Sequence, residues 1–285
     1  MKLVSFIHEG RPTYGAVVQD RVLDLGRVLG DRYADLKAVL TDPQGLAALQ
    51  LALGDAGPGI PAASVTWLPV IPNPGAIWCL GLNYREHVAE TKNEVGDKPV
   101  LFQRTAVSQA AHRQALVRPP ESTSFDYEGE IAVVIGRPGR RISEADSWSH
   151  IAGYACYNDG SVRDWQRHSK QWGPGKNFWR TGAFGPWMVT ADEIAPGTEM
   201  TLVTRVNGQE LQRATTEMLI NSIPKQIAYI SQFAPLQAGD VIVTGTPGGI
   251  GAARNPQIWL KAGDTVEVEV DRIGVLVNTV EDEAV

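Results

Sequence analysis

Apolar positions in this chain fall mostly in short alternating or continuous runs, and only rarely at helical spacing. "KLVSFIHEGRPTYGAVVQDRVLDLG" reads as short strands parted by turn residues at Glu9-Gly10-Arg11-Pro12 and Gln19-Asp20. A helical pattern follows from about Asp31 to Leu53, and "GDAGPGIPAAS" reads as a linker. Residues 1–70 are therefore expected to form a small N-terminal cap domain, and residues 71–285 the main domain. In the main domain, "PNPGAIWCLGLNYREHVAE" predicts a turn, a strand and a helix opening near Asn83, and "VLFQR" and "ALVRP" predict short strands. "SEADSWSHI" starts like a helix capped by Ser143. "AGYACYND" is a strand and "GSVRDWQRHSK" a helical turn, whereas "WGPGKNFWRTGAFGP" has too much Gly and Pro to be regular and is read as a long loop. "MTLVTRVNGQELQRATT" is a hairpin with Asn207-Gly208 at its tip. A helix over "PKQIAYISQFA", a strand entering a Gly-rich loop over "GDVIVTGTPGGIG", and a closing hairpin complete the chain. Few short helices and no sustained βα repeat predict a mostly-β (α+β) roll or sandwich.

One stretch departs from ordinary alternation. In "FDYEGEIAVVIG", Asp126, Glu128 and Glu130 share a strand face just before an apolar run. The spacing alone also suits an exposed strand with surface acids. The run "IAVVIG", however, suggests burial on both faces. Buried together, such carboxylates repel, and one must take a proton or find a cation. A hard divalent ion with oxygen ligands is the natural compensation. Asp159, closing the apolar strand "AGYACYND", offers a third oxygen.

Composition narrows the partners. A net charge of -6, a pI near 5.4 and the lack of any Lys/Arg-rich run argue against nucleic acid and anionic membranes. Cys79 and Cys156 lack zinc-type spacing and read as buried thiols. His8 and Glu9 end the first apolar run too early for a signal peptide, and no run approaches membrane-spanning length, so a soluble cytoplasmic protein is expected.

Other residues carry possible chemistry. His87 and Glu90, three apart on the expected helix, could form an oriented general base, with Glu86 as a competing partner; an incidental surface pair has the same spacing. Arg163 and Gln166 could meet a carboxylate and an oxo group, or face solvent. Lys176 could neutralise developing negative charge, though loop lysines are usually solvated. Thr244 precedes glycines that allow close backbone approach, but the loop lacks a phosphate-loop ending.

In order, "GLNYREHVAE", "DYEGEIAVVIG", "GYACYNDGSVRDWQ", "GKNFW", "GPWMVT", "VNGQELQ", "GDVIVTGTPGGIG" and "GDTVEVEV" resemble the fumarylacetoacetate hydrolase superfamily, from about Ile71 to Val280. The resemblance implies a β-rich roll around one divalent ion, usually Mg2+ or Mn2+, and a homodimer. It places the metal ligands on Glu128, Glu130 and Asp159 and leaves Asp126 as a strand-edge acid. It makes His87 and Glu90 the water-activating pair of a lid, with Lys176 at a metal-bound enolate. Arg163, Gln166 and Thr244 become substrate contacts. The activity it implies is C–C hydrolysis of acylpyruvate-type 2,4-dioxo acids. Decarboxylation, isomerisation or tautomerisation of related 2-oxo acids, through the same enolate, is the alternative, and a metal-stabilised binding protein would be a third class. Trp172, Trp179 and Trp187 suggest an aromatic wall favouring a larger acyl group, or else core or dimer packing. Trp179 stands where many relatives carry a polar residue.

Overall fold

A computed structural model describes residues 1–284. Twelve strands form one mixed sheet whose main path, from edge to edge, runs Ile60–Pro61, Arg21–Asp24, Arg11–Val18, Lys2–His8, Gly182–Thr190, Ile151–Asn158, Gly129–Ile135, Val241–Val243, Ile77–Gly81 and Val100–Arg104. A second sheet of five strands contains the hairpin Thr201–Val206/Gln209–Thr215 and the terminal hairpin Thr265–Val270/Gly274–Asp282, with Leu116–Arg118 on its edge. The two sheets bury Ile131, Val133, Cys156, Leu202, Val268 and Leu276 between them. Helices are few and short, as the patterning predicts. The strands Gly129–Ile135 and Ile151–Asn158 are buried at every position, which accounts for their unbroken apolar runs.

The N-terminal residues are built into the large sheet. Lys2 and Leu3 pair with Val189 and Met188. Leu3, Tyr14, Leu36 and Leu49 share one core with Ala132, Val134, Tyr157 and Val241. The boundary expected near residue 70 thus crosses a continuous apolar cluster.

Several local expectations change. The helical stretch 31–53 splits into Leu36–Thr41 and Gly45–Ala52, because Pro43 cannot continue the first helix. The presumed linker is anchored: Ile60 and Pro61 pair with Val22 and Arg21, and the Arg21 guanidinium donates to the carbonyls of Pro58 and Gly59, both at 2.6 Å. Ser143 makes a turn with Asp146, and only a short 3-10 turn, Ser147–His150, forms there. The helix Arg85–Glu90 begins after Tyr84, not Asn83. The long loop contains one helical turn, Gly173–Lys176.

Candidate active site

The strand register assembles the acids. Gly129 pairs with Asn158, so Glu128, just before one strand, lies beside Asp159, just after the other. The Asp159 amide donates to the Glu128 carbonyl at 2.8 Å, and Asn158 Oδ1 accepts from the Glu128 amide at 3.0 Å. Glu130 follows two residues along, on the same face. One carboxylate oxygen from each of Glu128, Glu130 and Asp159 lies within 4.8 Å of the others.

Three buried cations thread between them. Lys176 Nζ donates to Glu128 Oε2 at 2.6 Å and to Asp159 Oδ2 at 2.5 Å. Arg104 Nη1 holds Asp159 Oδ1 at 2.6 Å, and Arg163 Nη2 lies 2.7 Å from Glu128 Oε1. Burial pushes the Glu128 carboxyl up, but Arg163 and Lys176 outweigh it and hold the group well below the usual range. Glu130 has no cation of its own, and its Oε2 accepts only the Gly245 amide, at 2.5 Å. Burial first, then Asp159 and Glu128, pushes Glu130 well above the usual range. This donor set fits a hard divalent ion: three converging carboxylate oxygens, one of them an acid whose charge nothing in the chain balances. Glu128, Glu130 and Asp159 are the residues that would hold it.

Asp126 is not a strand-edge acid. The expected continuous strand breaks at Tyr127, and Phe125–Asp126 pairs separately with Ser161–Val162. Asp126 is fully buried; it accepts from Arg163 Nε at 2.8 Å and from the Gly251 and Ala252 amides. It therefore ties the Gly-rich loop to the arginine that holds Glu128.

These acids lie in the wall of a cavity of about 400 Å³, together with His87, Arg163, Gln166, Lys176, Phe102 and Trp172. His87 Nδ1 lies 2.9 Å from Glu90 Oε1, while Glu90 Oε2 accepts from the Gly249 amide at 2.8 Å. A carboxylate can only accept, so the imidazole donates from Nδ1 and leaves Nε2 as a base. Glu90, not Glu86, thus orients the histidine. Asn83 fixes the base of this helix: its amide donates to the Asn221 and Thr244 carbonyls and accepts from Asn221. Gln166 Oε1 accepts from Arg163 Nη1 at 3.0 Å.

Thr244 is fully buried and does not line the cavity; Thr246 does. The intervening Gly245, at a φ of +101°, breaks the strand alternation and turns Thr246 inward. Thr246 Oγ1 donates to the Gly129 carbonyl and accepts from Gln212. Sequence reasoning missed Arg104, Gln212 and Thr246. Their only signals are an arginine closing an apolar strand and polar residues at inward positions. Of the three tryptophans, Trp172 alone lines the cavity, with Phe102 at a ring distance of 5.5 Å. Trp179 is 49% exposed under the Arg180 guanidinium, and Trp187 packs against Gly274, so neither contributes an aromatic wall. Trp172 packs against Gly81, where an added Cβ would meet its ring at 2.2 Å.

Residues 76–281 match the family model described as fumarylacetoacetate (FAA) hydrolase C-terminal. The chain belongs to the fumarylacetoacetate hydrolase family. Within this family it is 37% identical over 237 residues to oxaloacetate tautomerase FAHD2A, mitochondrial, from Bos taurus, covering 82% of this chain and 76% of that protein. Its fold is similar to that of the fumarylacetoacetate hydrolase from psychrophilic Exiguobacterium antarcticum (TM-score 0.85, 30% identity, 99% and 100% of the two chains). It is also similar to maleylpyruvate hydrolase from Sphingobium sp. SYK-6, crystallised with manganese(II) ion and pyruvate (TM-score 0.83, 26% identity, 100% of each chain). The cytoplasmic location expected from sequence finds no support in the bovine relative, which is named as mitochondrial. Among the described residues no helix is long and apolar enough to cross a membrane.

Proposed function

We propose that this chain is a divalent-metal-dependent tautomerase of 2-oxo acids, the alternative rather than the leading expectation from sequence. The observation that carries it is the likeness to an oxaloacetate tautomerase over 82% of the chain, joined to a cavity that sets an oriented histidine among the three acids. C–C hydrolysis of acylpyruvates is the second reading, supported by the likeness to maleylpyruvate hydrolase and by the same His87–Glu90 pair, which would equally activate water.

Mg2+ or Mn2+ at Glu128, Glu130 and Asp159 would supply Lewis-acid polarisation of the substrate carboxylate and 2-oxo group. The chain's own groups move the proton. His87 Nε2 takes it from C3, and Glu90 stabilises the imidazolium that forms. As C3 loses the proton, negative charge gathers on the 2-oxo oxygen beside the buried Lys176 ammonium, which already faces two carboxylates and the Phe102 ring. Return of the proton from the His87 imidazolium to that oxygen gives the enol and regenerates the neutral base, and the reverse sequence returns the ketone. Arg163 is held by Asp126 and Glu128 and so positions Gln166, whose free NH2 is left for a substrate oxygen.

The homodimer implied by the family resemblance belongs to this reading and is checked by light scattering. The test of activity follows the ultraviolet decay of enol-oxaloacetate, with acetylpyruvate cleavage and pyruvate release from oxaloacetate measured in parallel. The expected result is accelerated tautomerisation, lost on chelation and restored by Mg2+ or Mn2+. Cleavage of acetylpyruvate without tautomerisation would select the hydrolase reading instead.

A further inference from the structure

The inner end of the cavity is rich in compensated charge. Arg163 and Lys176 are buried and committed to Asp126, Glu128 and Asp159. The outer end differs. There the walls are Thr91 and Asn93, just after the His87 helix, and Arg167 and Ser169, just after the turn Arg163–Gln166. Arg167 is exposed, and every acid in the cavity wall belongs to the inner cradle. Asp164, the acid nearest to it in sequence, is engaged elsewhere, accepting from Ser122 at 2.6 Å and from the Trp165 amide at 3.0 Å. Among the described residues no ion pair occupies the Arg167 guanidinium, and it is the one cation in the cavity wall in that condition. Thr91 and Asn93 are hydrogen-bonded to each other on one rim, Asn93 Nδ2 donating to Thr91 Oγ1 at 3.0 Å.

A 2-oxo acid that presents its carboxylate and oxo oxygens to the inner cradle has its remaining chain directed at this outer end. A short monocarboxylic acid would leave the outer end empty. We infer that Arg167 is a specificity-determining residue that grips the distal carboxylate of a dicarboxylic 2-oxo acid. A guanidinium forks onto a carboxylate with two parallel bonds, and a free one at a cavity mouth selects a second negative charge. His168 and Lys170 stand beside it on the same exposed segment. Lys170 adds positive charge at the entrance of a chain whose net charge is -6, which favours the approach of a dianion. This inference rests on the 2-oxo acid reading above and names its substrate class.

The test compares the metal-loaded wild type with Arg167→Gln and Arg167→Lys. Three quantities are measured: the calorimetric affinity for oxalate, which fills only the inner cradle, and the KM values for tautomerisation of oxaloacetate and of phenylpyruvate, which has one carboxylate. Arg167→Gln is expected to raise KM for oxaloacetate about tenfold or more, the loss of a charge-assisted guanidinium–carboxylate contact. Oxalate affinity and KM for phenylpyruvate should not move, and Arg167→Lys should recover part of the loss. An unchanged KM for oxaloacetate, or an equal rise for phenylpyruvate, overturns the assignment of Arg167 alone. A wild type that binds no oxalate and turns over neither acid overturns the 2-oxo acid reading, and this inference with it.

Discussion

Glu130 differs from its two neighbours because the chain supplies cations to Glu128 and Asp159 but none to it. Removing its charge relieves repulsion as well as deleting an ion ligand. Glu130→Gln is therefore expected to melt, without metal, no lower than the wild type, and to lose the rise in Tm that Mn2+ gives the wild type; calorimetry with and without the ion checks both. Lys176→Met should behave oppositely. It strands two buried carboxylates, and about 3–5 kcal/mol of stability should be lost, measured by denaturant unfolding. A third residue reports on pH. His112 is buried against Trp67 and its Nδ1 accepts the Val277 amide; burial, then the Arg113 charge, drives it from 6.5 down to about 4. The unfolded chain thus takes up a proton that the folded one refuses. The stability that neutral His112 contributes is full above pH 6.5, is lost progressively as pH falls to about 4, and amounts to about 3 kcal/mol at most. His112→Asn should flatten this part of the stability–pH curve.

At the scale of elements, the helix Arg85–Glu90 holds the proposed base in place from three sides: Glu90 to His87, Gly249 to Glu90, and Asn83 to Asn221 and Thr244. His87→Asn should lower kcat by about 10²–10⁴-fold with the fold intact. Glu90→Gln should lower kcat less and shift its pH profile, because the ring loses the partner that orients it. These pairs were legible in the sequence because they are local, three residues apart on a helix. Strands were legible for a similar reason, since alternation is written into each segment. Asp126 was not legible as a buried clamp: its partners Arg163, Gly251 and Ala252 lie far along the chain, and nothing in "FDYEGE" announces a break at Tyr127. Arg104 was silent for the same reason; alternation alone puts Thr244 and Thr246 on one face and cannot choose between them, and the turn at Gly245 that separates them is not written in the segment.

At the scale of the whole molecule, the first 70 residues and the rest share one sheet and one core. A chain lacking residues 1–70 would bare Tyr157, Phe184 and Met188 and leave the strand Gly182–Thr190 with an open edge. It is expected to be insoluble, or to bind the dye ANS strongly; a monodisperse, cooperatively melting fragment would instead mark 71–285 as an autonomous domain. The same topology bears on how the molecule is made. The short strand Val241–Val243 sits between Gly129–Ile135 and Ile77–Gly81, both synthesised more than a hundred residues earlier. Until it leaves the ribosome, two greasy β-edges wait side by side with nothing between them, and the Gly245 amide that steadies Glu130 does not yet exist. Birth of this protein is thus a race in which three late residues must close a gap before neighbouring nascent chains do.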